Sequence, residues 1–467
     1  MAEPRFDDRM SDSDALMWTI ERDPLLRSTI VSVLVLDRPP DPKRLAEKLS
    51  DAARTIPRLR QRVVEDPLGV APPRWAEDPS FDLSYHLRSV GVPGHGSLRD
   101  LLDLAAPLAM QAFDRDRPLW ELTLVEGLEN GGAAVIMKLH HAMSDGVGLV
   151  RMTAGLVERT REPEPHHEAL PTTADPVPTP WSPIDESLEA LRYQASRRIE
   201  QGRSAASSLA SGLGKLLRHP QETLQDAAEL ASSAGRLLAP ASEPLSPLMV
   251  ERSLARRLDG FARPLDAFKK AAATAGGTVN DAFVAGMAGG LSRYHRLHGH
   301  RVESLRMSMP INLRHGEKGR RAGNQFAPVR FGVPMTLDDP RERITAIHER
   351  VAAERKEPSL PALDVLAGAL NRLPGAASTA AFGSMLKTVD FITTNVPGPP
   401  FPVHLSGARI TAMIPFGPTS GAAANIALFS YDGAAWIGVN GDRAAIPDSE
   451  RFTECLEAGL DEVLALA

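Results

Sequence analysis

Apolar and polar positions along the 467-residue chain follow two periods. Thr29–Val35 is rich in β-branched residues, Trp120–Val125 alternates, and Ala133–His141 is a nearly continuous apolar run; these lengths and compositions predict strands. Further strands are expected at Leu305–Met309, Phe391–Val396 and Ala434–Val439. Helical periodicity covers Ala267–His295, Leu337–Glu354 and Asp448–Leu466. Between these regions lies a different texture. Pro163, Pro165, Pro171, Pro176, Pro178, Pro180 and Pro183 are spaced as neither a helix nor a sheet interior tolerates, and they read as an extended connector. Glu186–Arg218 and Gln221–Leu238 then look helical, broken by Pro220. The pattern predicts an α/β chain in three parts: residues 1–158, a connector over 159–245, and a second α/β region over 246–467.

Composition narrows the function classes. The formal charge of −6 argues against a protein that holds nucleic acid by an overall positive field. Cys455 is the only cysteine, so an intramolecular disulfide and a zinc site built on several thiolates are both excluded. No apolar run approaches the roughly 20 residues of a membrane span, and Met1–Met10 lacks the apolar core of a signal peptide, which makes a cytoplasmic location the default expectation. One local feature modifies this. Arg192, Arg197, Arg198, Arg203, Lys215 and Arg218 give the first connector helix a basic face, suited either to peripheral contact with an anionic membrane or lipid droplet, or to a solvated helix packed across two domains.

The most informative chemistry is His140-His141-Ala142-Met143-Ser144-Asp145-Gly146, at the end of the expected Ala133–His141 strand. Strand alternation would put His141 on the side of Leu139 and Met137, and His140 on the side of Lys138 and Ile136. Two histidines on opposite faces do not converge on one metal ion, so no metal site is expected. An imidazole that is mostly neutral near pH 7 can accept a proton from an alcohol while its oxygen attacks a carbonyl. Asp145-Gly146 would form a tight turn, with the carboxylate fixing local geometry through a cation. His166-His167, in the Pro-rich connector with no Asp-Gly behind it, is a second pair without that context.

The run HHxxxDG resembles the active-site signature of the acyl-CoA-dependent acyltransferase superfamily that includes chloramphenicol acetyltransferase and condensation domains. Within it, the chain resembles the bacterial wax ester synthase/diacylglycerol acyltransferase family. Met10-Ser11, Asp14-Ala15 and Glu21 resemble the family's opening segment, and Pro118-Leu119-Trp120 its PLW block. Asn280-Asp281 matches its ND block, and Met309-Pro310-Ile311-Asn312-Leu313-Arg314 resembles its PVxxR block. Gly323-Asn324 and Asn395-Val396-Pro397-Gly398-Pro399 complete a set that occurs in family order over nearly the whole chain outside the connector.

The resemblance implies a mixed α/β (α+β) fold of two chloramphenicol-acetyltransferase-like subdomains with a tunnel between them. It assigns His141 as general base, with His140, Asp145, Gly146 and Arg314 in support, the last as the cationic partner of Asp145. It further implies long-chain acyl-CoA as donor, with diacylglycerol or a long-chain alcohol as acceptor. Acyl-CoA is then a substrate and no cofactor is needed. Pro118, Leu119 and Trp120 fit either an apolar wedge shaping a substrate channel or simple core packing. Asn280 fits a hydrogen bond to substrate or a developing oxyanion, yet Thr278 or Asn280 could equally be a helix N-cap. With Asp281 these form the expected substrate-binding set. A superfamily member acting on a different acceptor, and a non-catalytic lipid-droplet-binding protein, are the competing readings.

Overall fold

The computed structural model describes residues 7–67, 71–144, 148, 150, 153–162, 187–196, 243–312, 326–356, 371 and 375–467. In the first part the elements are α1 (Asp12–Ile20), β1 (Thr29–Leu36), α2 (Pro42–Thr55), β2 (Gln61–Val64), β3 (Arg74–Glu77), α3 (Leu83–His86), β4 (Leu87–Gly91), α4 (Leu98–Met110), β5 (Trp120–Glu126) and β6 (Ala133–His140). After the connector come β7 (Arg256–Pro264), α5 (Leu265–Ala273), α6 (Val279–Leu297), β8 (Ser304–Asn312), β9 (Phe326–Pro334), α7 (Pro340–Arg355), α8 (Gly375–Lys387), β10 (Phe391–Pro397), β11 (His404–Leu405), β12 (Ala408–Phe416), β13 (Ala424–Tyr431), β14 (Ala434–Asp442) and α9 (Ser449–Leu464).

Local sequence explains most element ends. Asp41 caps α2 ahead of Pro42, and Ser97 with Asp100 closes a capping box on α4. The helix expected as one stretch over Ala267–His295 is two. Gly276-Gly277 interrupt it, and Thr278 restarts it as α6 with a capping box to Asp281. A Gly-Gly pair lets the backbone leave the helix, and the restart supplies new partners for the orphaned amides.

Two six-stranded sheets carry the fold. One has the order β11-β12-β1-β6-β5-β4 and the other β7-β14-β13-β10-β8-β9, with β2 and β3 as a separate ribbon. The first sheet is not closed by the first 158 residues. β12 pairs antiparallel with β1, Val31 lying opposite Phe416, so a hairpin from the 246–467 region completes it.

The sheet of the first part is buried on both faces. Ala133, Val135 and Leu139 of β6 join a core with Trp18, Leu119, Trp120 and Met143. Ala134 and Ile136 join another that contains Leu101 and Ala105 of α4, Leu258 of β7 and Phe416. That second core is the seam between the two sheets. At Gly438 of β14 a Cβ would sit 1.7 Å from the Pro415 carbonyl oxygen of β12, so only glycine permits the sheets to meet this closely. In the second half, α6 and α9 cross with backbones in contact, and a Cβ on Gly459 would lie 2.1 Å from the Gly290 nitrogen.

Of the connector helix expected over 186–218, residues 187–196 are described and are helical; the Pro-rich run from 163 and the segment 221–238 lie outside the described residues. This helical piece docks on the first part. Glu189 pairs with Arg9, Arg9 lies 4.7 Å from the Tyr193 ring centroid, and Ala190 is buried. Leu188 and Leu191 remain 49% and 51% exposed. No helix among the described residues is long and apolar enough to cross a membrane.

Candidate active site

β6 delivers the histidine pair to the end of the first sheet. The strand stops at His140, and His141–Met143 form a 3-10 turn. Strand alternation therefore ends one residue short of His141, and the face expected for that side chain does not follow from it. The turn separates the pair by burial instead. His140 is 1% exposed, whereas His141 is half-buried.

His140 is held on all sides. Its N–H donates to the Leu119 carbonyl at 3.0 Å, and its Nδ1 accepts the Ala142 N–H at 3.0 Å. An accepting Nδ1 places the proton of the neutral ring on Nε2, which lies 2.9 Å from Oε1 of Glu21. The rings of Trp18 and Phe113 meet it edge-on at 5.6 and 6.0 Å. Burial pushes the Glu21 carboxyl up, but His140, the Ser28 N–H and Arg115 outweigh it and hold the group below the usual carboxylate range. Ser28 closes the arrangement, since its carbonyl accepts the His141 N–H at 2.8 Å.

Two residues before His140 a second charged pair is buried. Lys138 is 2% exposed, and its Nζ lies 3.6 Å from Glu121, its direct neighbour on β5. The ammonium also rests 4.3 Å from the centroid of the Phe113 ring. Burial pushes Lys138 down from its ordinary value, against the pull of Glu121. These contacts place a compensated charge pair beneath the histidines. Nothing in the sequence reading had singled out Lys138.

The remaining expected residues divide. Pro118 and Leu119 are buried, Leu119 at 0% exposure, and Leu119 serves His140 through its carbonyl. Trp120 is 5% exposed and packs within the core. Its Nε1–H donates to the Leu59 carbonyl at 2.8 Å, and His86 stacks on its ring at 4.4 Å. The Asp281 carboxylate accepts from Thr278 at 2.8 Å in the α6 cap and lies 2.8 Å from His348 Nδ1. Asn280 is half-buried and reaches Met309 of β8, its Nδ2 3.5 Å from Sδ. Asp145, Gly146 and Arg314, with Gly323-Asn324, lie outside the described residues. Gly398, in the Asn395–Pro399 run, donates its N–H to Ser430 at 2.9 Å, and a Cβ there would meet Phe429 at 2.3 Å.

Where the sheets part from their close contact, a small cleft with a cavity volume of about 30 Å³ opens between the halves. One wall is the segment Pro24–Thr29, the same stretch whose Ser28 anchors His141. The opposite wall comes from β7, β12 and β14, with the end of α4 between them. Among the described residues, no group of three His, Cys, Asp or Glu side chains is arranged to hold a metal ion.

The fold of two six-stranded sheets meeting at a seam is shared with solved acyltransferase and condensation-domain structures. A wax ester synthase/diacylglycerol acyltransferase from Marinobacter aquaeolei VT8 superposes with a TM-score of 0.63 at 22% identity, over 97% of this chain and 98% of that one. The first condensation domain of the calcium-dependent antibiotic synthetase gives 0.62 at 17% identity, over 98% and 95%. The chain belongs to the wax ester synthase/diacylglycerol acyltransferase family: the family's catalytic domain matches residues 10–283 and its C-terminal domain residues 322–463. A Mycobacterium tuberculosis (strain H37Rv) protein named for diacylglycerol O-acyltransferase activity is 37% identical over 464 residues, 99% of this chain and 93% of its own. Another from the same organism, also so named, is 32% identical over 404 residues, 85% and 84% of the two chains.

Proposed function

We propose that this protein transfers a fatty acyl group from coenzyme A to the free hydroxyl of diacylglycerol, forming triacylglycerol, and takes long-chain alcohols as further acceptors to give wax esters. Membership of the family across both of its domains supports the substrates. The single observation that carries the chemistry is the unequal burial of the histidines, because only the half-buried His141 can meet a substrate.

In this reading His141 accepts the hydroxyl proton as the alcohol oxygen bonds to the thioester carbonyl carbon. The tetrahedral intermediate collapses, the C–S bond breaks, and His141 returns the proton to the departing thiolate. No acyl-enzyme forms, and acyl-CoA enters as a substrate with no metal or redox group required. Glu21, His140 and Ser28 position the base. The lipid acceptor is collected from a membrane or droplet surface by peripheral contact, in which the exposed Leu188 and Leu191 beside the basic Arg192 would take part.

The test is direct. Purified protein is incubated with labelled palmitoyl-CoA and diacylglycerol or hexadecanol, and the lipid products are separated. Labelled triacylglycerol is expected from diacylglycerol, and wax ester from hexadecanol. Folded protein that makes no ester with any glycerolipid or fatty alcohol overturns the assignment.

A further inference from the structure

Two aromatic rings meet His140 edge-on, and each carries a cation. Phe113 has the Lys138 ammonium 4.3 Å from its centroid, and Trp18 has the Arg115 guanidinium at 4.2 Å. The two cations are held differently. Lys138 is 2% exposed, whereas the Arg115 side chain is 45% exposed. Glu65 ties Arg115 to its ring, since one oxygen, Oε1, accepts the Trp18 Nε1–H at 2.7 Å and an Arg115 N–H at 3.1 Å. The turn Asp114–Arg117 presents the arginine: the Asp114 carboxylate accepts the Asp116 N–H at 2.9 Å, and its carbonyl accepts the Arg117 N–H at 3.3 Å. Arg117 turns to Asp78 and the Ser80 carbonyl, while Arg115 reaches α1. Trp18 and Glu21 stand three residues apart at the end of α1, a spacing that puts both on one side of the helix, and both meet His140. Burial raises the Glu21 carboxyl, and His140, the Ser28 N–H and the Arg115 charge together hold it below its ordinary value.

We propose that Arg115 is a positioning residue for acyl transfer, fixing the His140 imidazole through the Trp18 ring and the Glu21 carboxylate, and with it the turn that carries His141. The inference rests on the acyl-transfer reading above. The His140 ring keeps its proton on Nε2 only while Glu21 stays an acceptor there and the neighbouring rings keep their places. One cation serves both conditions. It is attracted to the face of an indole that is itself 3% exposed, where cation–π attraction is stronger than at an open surface. It also favours the charged form of Glu21. An exposed ion pair such as Arg115–Glu65 would by itself contribute little, so the weight of this one lies in what the guanidinium covers. The Lys138 ammonium needs no such tether, because burial already confines it over Phe113. The exposed member of the two is therefore the one on which the geometry of His140 depends.

The experiment uses the full chain and separates kcat from KM with palmitoyl-CoA and diacylglycerol. Arg115→Gln loses the charge and is expected to lower kcat roughly ten- to a hundredfold, with both KM values within about twofold of wild type. Arg115→Lys keeps a cation for the ring and should recover most of the loss. Glu65→Gln still accepts from Trp18 but no longer holds Arg115 by charge, so it should lower kcat in the same way and by less. Arg62→Gln is the control for lost charge: Arg62 pairs with Asp116 of the same turn at 3.2 Å, and kcat should stay within about twofold. A second readout needs no turnover. In nitrogen NMR of protein labelled at its histidine rings, the His140 Nε2 resonance, assigned by its absence from His140→Ala, should move in Arg115→Gln and return in Arg115→Lys. A raised KM for palmitoyl-CoA with kcat unchanged would make Arg115 a contact to the donor's phosphates and overturn the proposal. So would an equal loss in Arg115→Lys and Arg115→Gln, or a His140 resonance that does not move. Failure of the acyl-transfer reading looks different: wild-type protein then forms no ester, while the resonance still decides whether Arg115 holds His140.

Discussion

The Glu21 carboxylate lies 2.9 Å from Nε2 of His140 and also accepts the N–H of Ser28, whose carbonyl holds the N–H of His141. One side chain at the end of α1 therefore ties both histidines of the signature to the same loop. His140 is tied through its ring, Nε2 facing the carboxylate, and His141 through its backbone N–H, which donates to Ser28. His140 thereby acts as a strut, buried at 1% exposure, while His141 stays half-buried.

The pairing has a pH signature. Glu21 has a folded pKa below its ordinary 4.5, so its stabilisation is present above that value and is lost as pH falls through the folded pKa. Glu21→Gln should be less stable than wild type near neutrality, and the gap should narrow at an acid pH well below 4.5, where the folded carboxylate takes up its proton. Urea denaturation of both proteins at the two pH values checks this; a gap that widens toward acid contradicts it.

Replacing the two histidines should separate catalysis from support. His141→Ala is expected to lose about 10²–10⁴-fold in turnover with little change in melting temperature, the size of a general-base contribution. His140→Ala should cost about 1–3 kcal/mol of stability, because the Ala142 amide and the Glu21 carboxylate are left without their partner in a buried site. Turnover assays paired with thermal melts decide the matter. Full activity in His141→Ala removes it from the role of base.

Trp120 tests the meaning of the Pro118-Leu119-Trp120 block. Trp120→Phe keeps an aromatic ring beside His86 but loses the hydrogen bond to Leu59, so a loss of about 1 kcal/mol is expected. Acyl-chain preference should not move. A shifted preference with unchanged stability would return this residue to the substrate channel.

The buried pair of Lys138 and Glu121 should respond in a strongly non-additive way. Lys138→Met leaves the Glu121 charge without its nearest compensation and should destabilise by about 3–5 kcal/mol, whereas Lys138→Met combined with Glu121→Leu should recover most of the loss. Denaturant titration of the four members of the cycle gives the coupling. Additive losses would mean that the pair is solvated and of little consequence.

Helix packing in the second half hangs on the absence of side chains. Gly459→Ala puts a methyl group 2.1 Å from the backbone nitrogen of Gly290, which cannot rotate away as a side chain could. A destabilisation of about 1–3 kcal/mol, or more if α9 must shift, is expected in thermal or denaturant melts. An unchanged melting temperature would show that the two helices are not held this closely.

Several elements were legible from local pattern. The β-branched run at Thr29 and the apolar run at Ala133 become neighbouring central strands, and Asp41-Pro42 and Ser97 with Asp100 mark helix starts as capping chemistry requires. The family blocks were legible as well, because they are short runs of specific residue types. The roles inside those blocks were less so. Trp120 and Asp281 stand in blocks associated with function, yet their polar atoms are bound within the fold, to Leu59 and to Thr278 with His348. A motif records which residue is present and not which partner its hydrogen bonds find.

By itself the sequence determined the α/β class, the single cysteine and the paired-histidine signature with the acyl-transfer chemistry it implies. Tertiary structure decided what stands beside what. The strand of the second half that completes the first sheet, the carboxylate that ties the two histidines and the Lys138–Glu121 pair all arise between segments distant along the chain. Hydrophobic period and capping are local and repeat within a few residues, so a sequence displays them. Strand partnership and buried polar contacts depend on how whole elements pack, and no local period encodes that choice.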